Sequence, residues 1–560
     1  MPLFRPAWLA SAFTKLQGKE VPKMKLSYES LKDRAAWEAA GVTLPSFDWK
    51  DMHDATEKAP TWVHFGSGSL FRAFHALVQQ SLIEQGLVKG GLYTAETFDY
   101  EIVENTYGPY DNLSLMVTLM PDGSMEKTVV GSVAGALRAD PAYPEDWERL
   151  KEIFRSPSLQ LITFTITEKG YALTDMNGNY LPLAEKDFAA GPASPASAMS
   201  KVAALLLERF NAGGVPMAVV STDNCSRNGE KIRNSVVAMV EKWLENGLVS
   251  PDFVAWVKDE SKVSFPWTMI DKITPRPAKA VEDALTKAGF EDMKTTITSK
   301  GGYTAAFVNA EKPQYLVIED NFPNGRPPLE KAGVYMANRD TVNNVEKMKV
   351  MTCLNPLHTV LAIYGCLLGY TSIAAEMRDP ELKALIEKVG YVEGMPVVVD
   401  PGIIKPMDFI HEVIDQRFPN PYMPDTPQRI ALDTSQKVAI RFGETIHSYA
   451  QRPDLDVTSL TYIPLAIAGW LRYLLAVDDE GKPMECSADP MLSALQEQLS
   501  GVTLGQPDSV EGKLTGILSN TVIFGSDLVE LGLAGKIEGM VRELLAGPGA
   551  VRAVLKKYLA

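Results

Sequence analysis

At 560 residues the chain is too long for one ordinary hydrophobic core, so two or more large domains are expected. With 46% hydrophobic and 22% charged residues it has a globular composition. The formal charge of -15 disfavours nucleic acid or an anionic membrane as partner, yet leaves room for an anionic metabolite gripped by local cations.

Cys225, Cys353, Cys366 and Cys486 stand far apart without a CxxC pair and read as reduced thiols of a cytoplasmic protein. The six histidines show no metal-ligand spacing, so no metal is expected. No apolar run reaches the ~20 residues of a membrane span. The opening MPLFRPAWLASAFTKLQGK is broken by Arg5 and Pro6 and reads as an arm or surface helix, not an export signal. Residues 1–58 form an N-terminal extension, with a short helix over Tyr28–Ala40 and a proline-containing lead at Leu44–Trp49.

A short strand, Trp62–Phe65, runs into Gly66-Ser67-Gly68-Ser-Leu70-Phe71-Arg72 and then a helical pattern, Ala73–Gln85. A strand, a glycine turn and a helix N-terminus make an anion site, because free N–H groups and the helix dipole point at a phosphate. Phe71 replaces the third glycine of the GxGxxG fingerprint, so an ordinary tight βα turn remains the alternative. A second strand, Gly91–Thr97, ends near Glu96 and Asp99; an acid there accepts ribose hydroxyls and favours NAD over NADP, with Asp99 the residue selected.

Leu113–Leu119 and Lys127–Val133 alternate around Pro-Asp-Gly as a hairpin. Leu159–Ile166 reads as a buried parallel strand that ends in Thr167-Glu168-Lys-Gly-Tyr171, at the edge where α/β enzymes bind ligands. Ala198–Ala212 is an amphipathic helix, and Met217–Ser221 a second buried strand that spills into Thr222-Asp-Asn224-Cys-Ser-Arg-Asn-Gly229. Asn224 either donates its amide to a substrate oxygen or closes an Asx turn. The apolar runs at 265–275 and 315–327 end in charged residues, as ion-paired loop ends or as a site wall.

Beyond about residue 340 helical patterns dominate: Thr359–Tyr370, Pro380–Val389, Pro406–Gln416, Gln436–Gln451, Tyr462–Asp478, Met491–Gln498 and Leu528–Leu559 in pieces. The expected architecture is a Rossmann-like α/β domain over 59–340, followed by a mostly α-helical substrate-binding and catalytic domain over 341–560, with the site in the cleft between them. Where the second begins, VEKMKVMTCLNPLH brings Lys349, Asn355 and His358 to the mouth of an apolar helix. Pro356 suits the first helical position, which puts Asn355 on the N-cap and His358 in the first turn. A lysine, an amide and an imidazole there can deprotonate an alcohol and hold the alkoxide; a capped core helix with a solvated lysine is the plainer alternative.

GSGSLFRAF, TITEKGY, STDNCSRNG, TMIDKITP, VIEDNFPNGRP, KVMTCLNPLH and RFPNPYMPDTPQRIALDTSQK together resemble the polyol-specific long-chain dehydrogenases, the mannitol dehydrogenase family, from about residue 60 to the C-terminal region. The resemblance implies that Lys349 is the general base, that Asn355 and Asn224 form the oxyanion hole, and that His358, Arg429 and Lys437 contact substrate. It also implies that Gly66, Ser67, Gly68, Leu70, Phe71 and Arg72, with Asp99, Glu168 and Asp271, contact or border the cofactor.

Two departures stand out. The family spacing is K-x4-N-x2-H, whereas this chain has K-x5-N, a shift of about 100° on a continuous helix unless a bulge or turn before Asn355 absorbs it. Lys347 is the competing lysine. The second departure is Leu70-Phe71-Arg72-Ala73-Phe74, where the family has FxRAH.

What the resemblance implies is metal-independent, reversible hydride transfer between NAD(H) and a keto-sugar acid, D-fructuronate and D-mannonate first, with fructose and mannitol, or tagaturonate, as alternatives. A lysine serves as base only if its pKa falls from ~10.4 toward neutrality. A non-catalytic sugar- or nucleotide-binding protein is the reading from another class. The expected partner is a small sugar acid or polyol, bound by a monomer or homodimer.

Overall fold

The computed structural model describes residues 23–175 and 177–560; the arm expected over residues 1–19 lies outside them. The chain forms two compact units that interleave along the sequence. The first takes the chain up to Thr118 with Glu126–Leu159 and Thr274–Ala310; the second takes Leu119–Met125, Gln160–Ile273 and Glu311–Ala560.

In the first unit the helix expected over Tyr28–Ala40 is two helices, Tyr28–Leu31 and Arg34–Ala39, because Asp33 accepts the Ala36 N–H and starts a new one. Trp49–Lys58 is a helix that the sequence reading lacked; Asp48 caps it through the Lys50 and Asp51 N–H groups. Strand Trp62–Phe65 is wholly buried and pairs in parallel with Leu92–Glu96, which pairs in parallel with Val133–Arg138. The connection between the first two strands is a π-turn, Phe71–His75, continued as the α-helix Ala76–Glu84. This strand–helix–strand unit is Rossmann-like.

The expected hairpin is present as Ser114–Leu119 and Met125–Val130, central in a four-stranded sheet with Val42–Thr43 and Phe307–Ala310 at its edges. Val133 belongs to a separate strand: Gly131 and Ser132 interrupt the run, and the Ser132 hydroxyl donates to the Ala76 carbonyl (2.6 Å).

In the second unit Leu161–Phe164, Met217–Ser221 and Val263–Ser264 lie side by side in parallel. Thr268–Asp271 runs antiparallel to Tyr315–Glu319, with Asp271 opposite Tyr315. From Arg339 onward the chain is helical, and its apolar faces merge into one core that includes Leu357, Val360, Leu361, Trp470 and Leu544. The continuous helical stretch Arg339–Leu367 is long and apolar enough to cross a membrane, but 72% of its most apolar window is buried inside the protein, as in a core helix.

Both ends of the buried helix Tyr462–Tyr473 are sealed by charged side chains. Glu393 accepts the N–H groups of Thr461, Tyr462 and Ile463 (2.5–2.8 Å) at its start. Arg472 donates to the carbonyls of Val477 and Asp478 (2.6 and 2.9 Å) beyond its end.

Among the described residues five helical stretches carry π-turns: Phe71–His75, Met348–Cys353, Lys388–Gly394, Val413–Arg417 and Ala439–Gly443. Each holds an extra residue per turn, which explains why a 3.6-residue period finds these helices but not their phase.

Glu376 is an exception to the rule that buried polar groups are paired. Its carboxyl lies against the helix backbone at Gly365, where a Cβ would come within 1.9 Å of Oε1, and neither oxygen has a hydrogen-bond partner among the described residues. Burial, with the Asp379 charge adding to it, pushes the carboxyl up from 4.5 to about 9. The unfolded chain releases this proton first, so the group's contribution to stability is complete below about pH 4.5 and is lost as pH rises toward 9. Glu376→Gln is therefore expected to raise the thermal midpoint at about pH 8 and to flatten its decline above about pH 5, read by scanning fluorimetry across that range. A midpoint that falls equally at every pH would contradict a buried neutral acid.

Candidate active site

The glycine turn of the first unit follows from its backbone. Gly66 has φ +104°, a conformation open to glycine, and its N–H donates to the Ala95 carbonyl (2.9 Å). Ser67 is buried, with its N–H on Glu96 Oε2 and its hydroxyl on Thr94 Oγ1, both 2.9 Å. At Gly68 an added Cβ would meet nothing within 4 Å, so the turn presents an open backbone face to a ligand.

Glu96 is consumed by structure: besides Ser67 it accepts the N–H groups of Thr97, Phe98 and Asp99 (3.0–3.3 Å). Asp99 accepts the Thr298 hydroxyl through Oδ2 (2.6 Å), while its buried Oδ1 has no partner among the described residues. A buried acceptor left open beside a glycine turn fits a ribose hydroxyl, and the open face at Gly68 fits a phosphate.

Leu70 heads the π-turn, half-buried. The Phe71 and Arg72 side chains pack into the protein. Phe71 stacks on His64 at 4.6 Å, and the Arg72 guanidinium is buried and donates to the Ala305 carbonyl (2.9 Å). Both side chains brace the turn.

In the second unit Glu168 is exposed and ion-paired with Lys231. Its neighbour Thr167 holds φ +67° and ψ 159°, a region costly for a residue with a Cβ. Asp223 fixes that geometry by accepting the N–H groups of Ile166 and Thr167 (3.0 and 2.9 Å) and the Tyr171 hydroxyl (2.5 Å). Asn224 stands next to it, exposed at the end of strand Met217–Ser221. Asn228 fastens this loop to Thr268 by two hydrogen bonds, 2.8 and 3.0 Å.

The extra residue between Lys349 and Asn355 sits in the π-turn Met348–Cys353: the Leu354 N–H donates to the Lys349 carbonyl (3.1 Å), five residues back instead of four. Leu354, not Asn355, is the N-cap; Asn355 is the first residue of the helix Asn355–Leu367, one position later than its sequence assignment. The reason is that the π-turn runs straight into the α-helix, leaving no separate capping loop. Lys349 is buried and donates to Asp271 Oδ1 (3.0 Å), whereas Lys347 ends the preceding helix half-exposed. Cys353 is buried in the same turn; burial pushes its thiol up to about 12, consistent with packing.

Asp271 is also held by Arg417, at 3.1 Å through Nη2 and by a second contact through Nη1, and Arg417 in turn bonds Glu311 (2.9 and 3.2 Å). Burial alone would raise the Asp271 carboxyl, but the Lys349 and Arg417 charges hold it at about 2.

His358 is nearly buried, tilted on Phe418, with Nε2 3.4 Å from Asp425 and no hydrogen-bond partner among the described residues. Burial and the charges of Arg441, Arg429, Arg417 and Lys437 push its imidazole down to about 3, so it is neutral at working pH. Arg429 is exposed and paired with Asp425. Lys437 reaches the Leu432 carbonyl, and Arg441 donates to Thr359 (2.5 Å) in the first turn of the helix.

Sequence reasoning missed Arg417, Glu311, Asp425 and Arg441. Arg417 and Arg441 fall in or just beyond the RFPNPYMPDTPQRIALDTSQK block, but their spacing follows π-turns, so helical periodicity does not align them with Arg429 or Lys437.

Comparison with known proteins identifies the family. Residues 60–331 match the Mannitol dehydrogenase Rossmann domain and 341–544 the Mannitol dehydrogenase C-terminal domain. A D-mannonate oxidoreductase of Thermotoga maritima is 54% identical over 96% of this chain and 99% of its own length. The solved mannitol 2-dehydrogenase of Pseudomonas fluorescens, a ternary complex with NAD and D-mannitol, superposes with TM-score 0.67 at 26% identity, covering 96% of this chain and 99% of that one. A substrate-free D-sorbitol dehydrogenase superposes with TM-score 0.75 at 25% identity over 92% and 98%. The chain belongs to the mannitol dehydrogenase family.

Proposed function

We propose that the chain is an NAD(H)-dependent oxidoreductase that interconverts D-fructuronate and D-mannonate. The observation that carries the choice of a sugar acid is the gathering of the cations Arg429, Lys437 and Arg441 near enough to His358 for their charges to help keep it neutral, with Arg429 paired to Asp425 beside it. Such a set suits a substrate with a fixed carboxylate, whose charge several donors can share. The 54% identity to a D-mannonate oxidoreductase supports the same choice. Mannitol and fructose form the second reading, favoured by the likeness to a mannitol 2-dehydrogenase with D-mannitol bound.

In this reading residues 59–340 hold the dinucleotide and 341–560 carry the base and the substrate contacts, while 1–58 pack as an extension. Asp99 Oδ1 takes a ribose hydroxyl, and the open backbone face at Gly68 takes the pyrophosphate. When bound, the nicotinamide supplies the hydride acceptor or donor that no side chain provides.

Lys349 Nζ takes the proton of the alcohol in oxidation and returns it to the carbonyl oxygen in reduction. The side chains of Asn224 and Asn355 donate to that oxygen while negative charge develops on it. His358, neutral, hydrogen-bonds a substrate hydroxyl through Nε2 without exchanging a proton with solvent at working pH.

Lys349→Ala is expected to lower kcat for mannonate oxidation by about two to four orders of magnitude, with KM changed far less. Stopped-flow or steady-state NADH absorbance measures it, and near-normal turnover across pH would remove Lys349 from the role. Substrate choice is tested by NADH oxidation with fructuronate, tagaturonate and fructose side by side. Fructuronate is expected to be fastest, and Lys437→Met to reduce its kcat/KM about ten- to a hundredfold. The same variant is expected to leave any residual fructose activity nearly unchanged; an equal loss on both would make Lys437 a hydroxyl contact and favour the polyol reading.

A further inference from the structure

Arg417 opens the block that carries Arg429 and Lys437 but has no chemical role in the reading above, yet it is buried at the end of the π-turn Val413–Arg417 and makes four hydrogen bonds to two acids. Two bonds go to Asp271, the residue that receives the Lys349 ammonium, and Lys349 and Arg417 share the same Asp271 oxygen, Oδ1. The remaining two go to Glu311, whose other contact is the Ile273 N–H (2.7 Å) just past the Asp271 strand. The guanidinium therefore holds Asp271 directly and, through Glu311, the backbone two residues beyond it, and its planar fork satisfies both carboxylates at once, as an ammonium cannot.

We propose that Arg417 is a positioning residue for the proton transfer: it fixes Asp271 against Lys349 and shares that carboxylate's charge, so that the ammonium does not hold its counter-ion alone. The proposal rests on Lys349 acting as the base. Among the four, two cations face two acids and the charges cancel. Remove the guanidinium and one ammonium faces two buried carboxylates, which favours the protonated amine.

The other groups around this cluster do not replace Arg417. Glu412, on the helix that leads into the same π-turn, adds a further acid. The Tyr315 hydroxyl, opposite Asp271 across the strand pair, and the Cys353 thiol are held neutral by burial. Lys272 turns to the Glu311 carbonyl and Gln314 (2.9 and 2.6 Å) instead of to Asp271.

The test compares wild type, Arg417→Gln, Arg417→Lys and the double variant Arg417→Gln with Glu311→Gln, using NAD+ and mannonate, or the polyol that wild type oxidises. The double variant removes the unpaired buried acid, so it guards against a single variant that fails to fold; thermal midpoints and circular dichroism report on folding. The alkaline rise of kcat/KM is expected to move up by about one pH unit in Arg417→Gln and in the double variant. Arg417→Lys is expected to restore its position while recovering only part of kcat, because one ammonium cannot grip both acids.

Amine-reagent labelling of Lys349 as a function of pH, read by peptide mass spectrometry, is expected to move in the same direction without turnover. A folded variant with an unmoved pH limb and unmoved labelling, its loss tracking thermal stability alone, would overturn the proposal. If Lys349→Ala itself kept full turnover, the failure would lie in the choice of base and not in Arg417.

Discussion

Two cations and two carboxylates taken out of water together form the constraint on which the second unit turns. Lys349, Asp271, Arg417 and Glu311 come from a π-turn, a strand end, a second π-turn and the segment after another strand. Desolvating any one alone would cost several kcal/mol, and breaking a buried pair by removing one partner typically costs about 3–5 kcal/mol. The network is therefore all or nothing: each charge is tolerable because the other three are present. That interdependence ties the strand Thr268–Asp271 to the helical segments that carry Lys349 and Arg417.

The means of delivering those charges is the π-turn. An α-helix offers each face at a fixed phase, so a side chain one residue out of step points away from its target. An extra residue in a single turn re-aims everything after it without ending the helix. Here the device recurs under Arg72, Lys349, Arg417 and Arg441, all cationic side chains turned into protein. Such turns are rare in proteins at large and frequent at functional sites.

Much of the fold was legible because it follows strong local signals. Trp62–Phe65 and Met217–Ser221 lie at the residues expected, since a short apolar run between turn residues leaves little choice. The change to helix after about residue 340 was equally plain from periodicity. What could not be read was phase and partnership. Lys349 stood out as a lysine before an apolar helix, but nothing local says that Asp271, 78 residues earlier, would be its neighbour. Arg417 lies 146 residues from the same aspartate and 106 from Glu311, and contacts at that separation are made by topology. Asp99 was selectable as an acid near a strand end; that Glu96 would be used up on four backbone N–H groups, leaving Asp99 with the open oxygen, emerges only in three dimensions.

The neutral imidazole of His358 among its cations has a consequence for how the proposed reaction is driven. In the proposed site Arg429, Lys437 and Arg441 would act on a carboxylate that carries the same charge in the ketone and in the alcohol, while burial and the surrounding cations keep His358 neutral. In charge their grip would be the same on both sides of the reaction coordinate, which is uniform binding: it fills the site at low metabolite concentration without itself lowering the barrier. Direction is left to mass action, through the ratio of reduced to oxidised nicotinamide and the proton that the oxidation releases. Flux should then reverse with the redox state and acidity around the protein, with no part of the substrate clamp having to change.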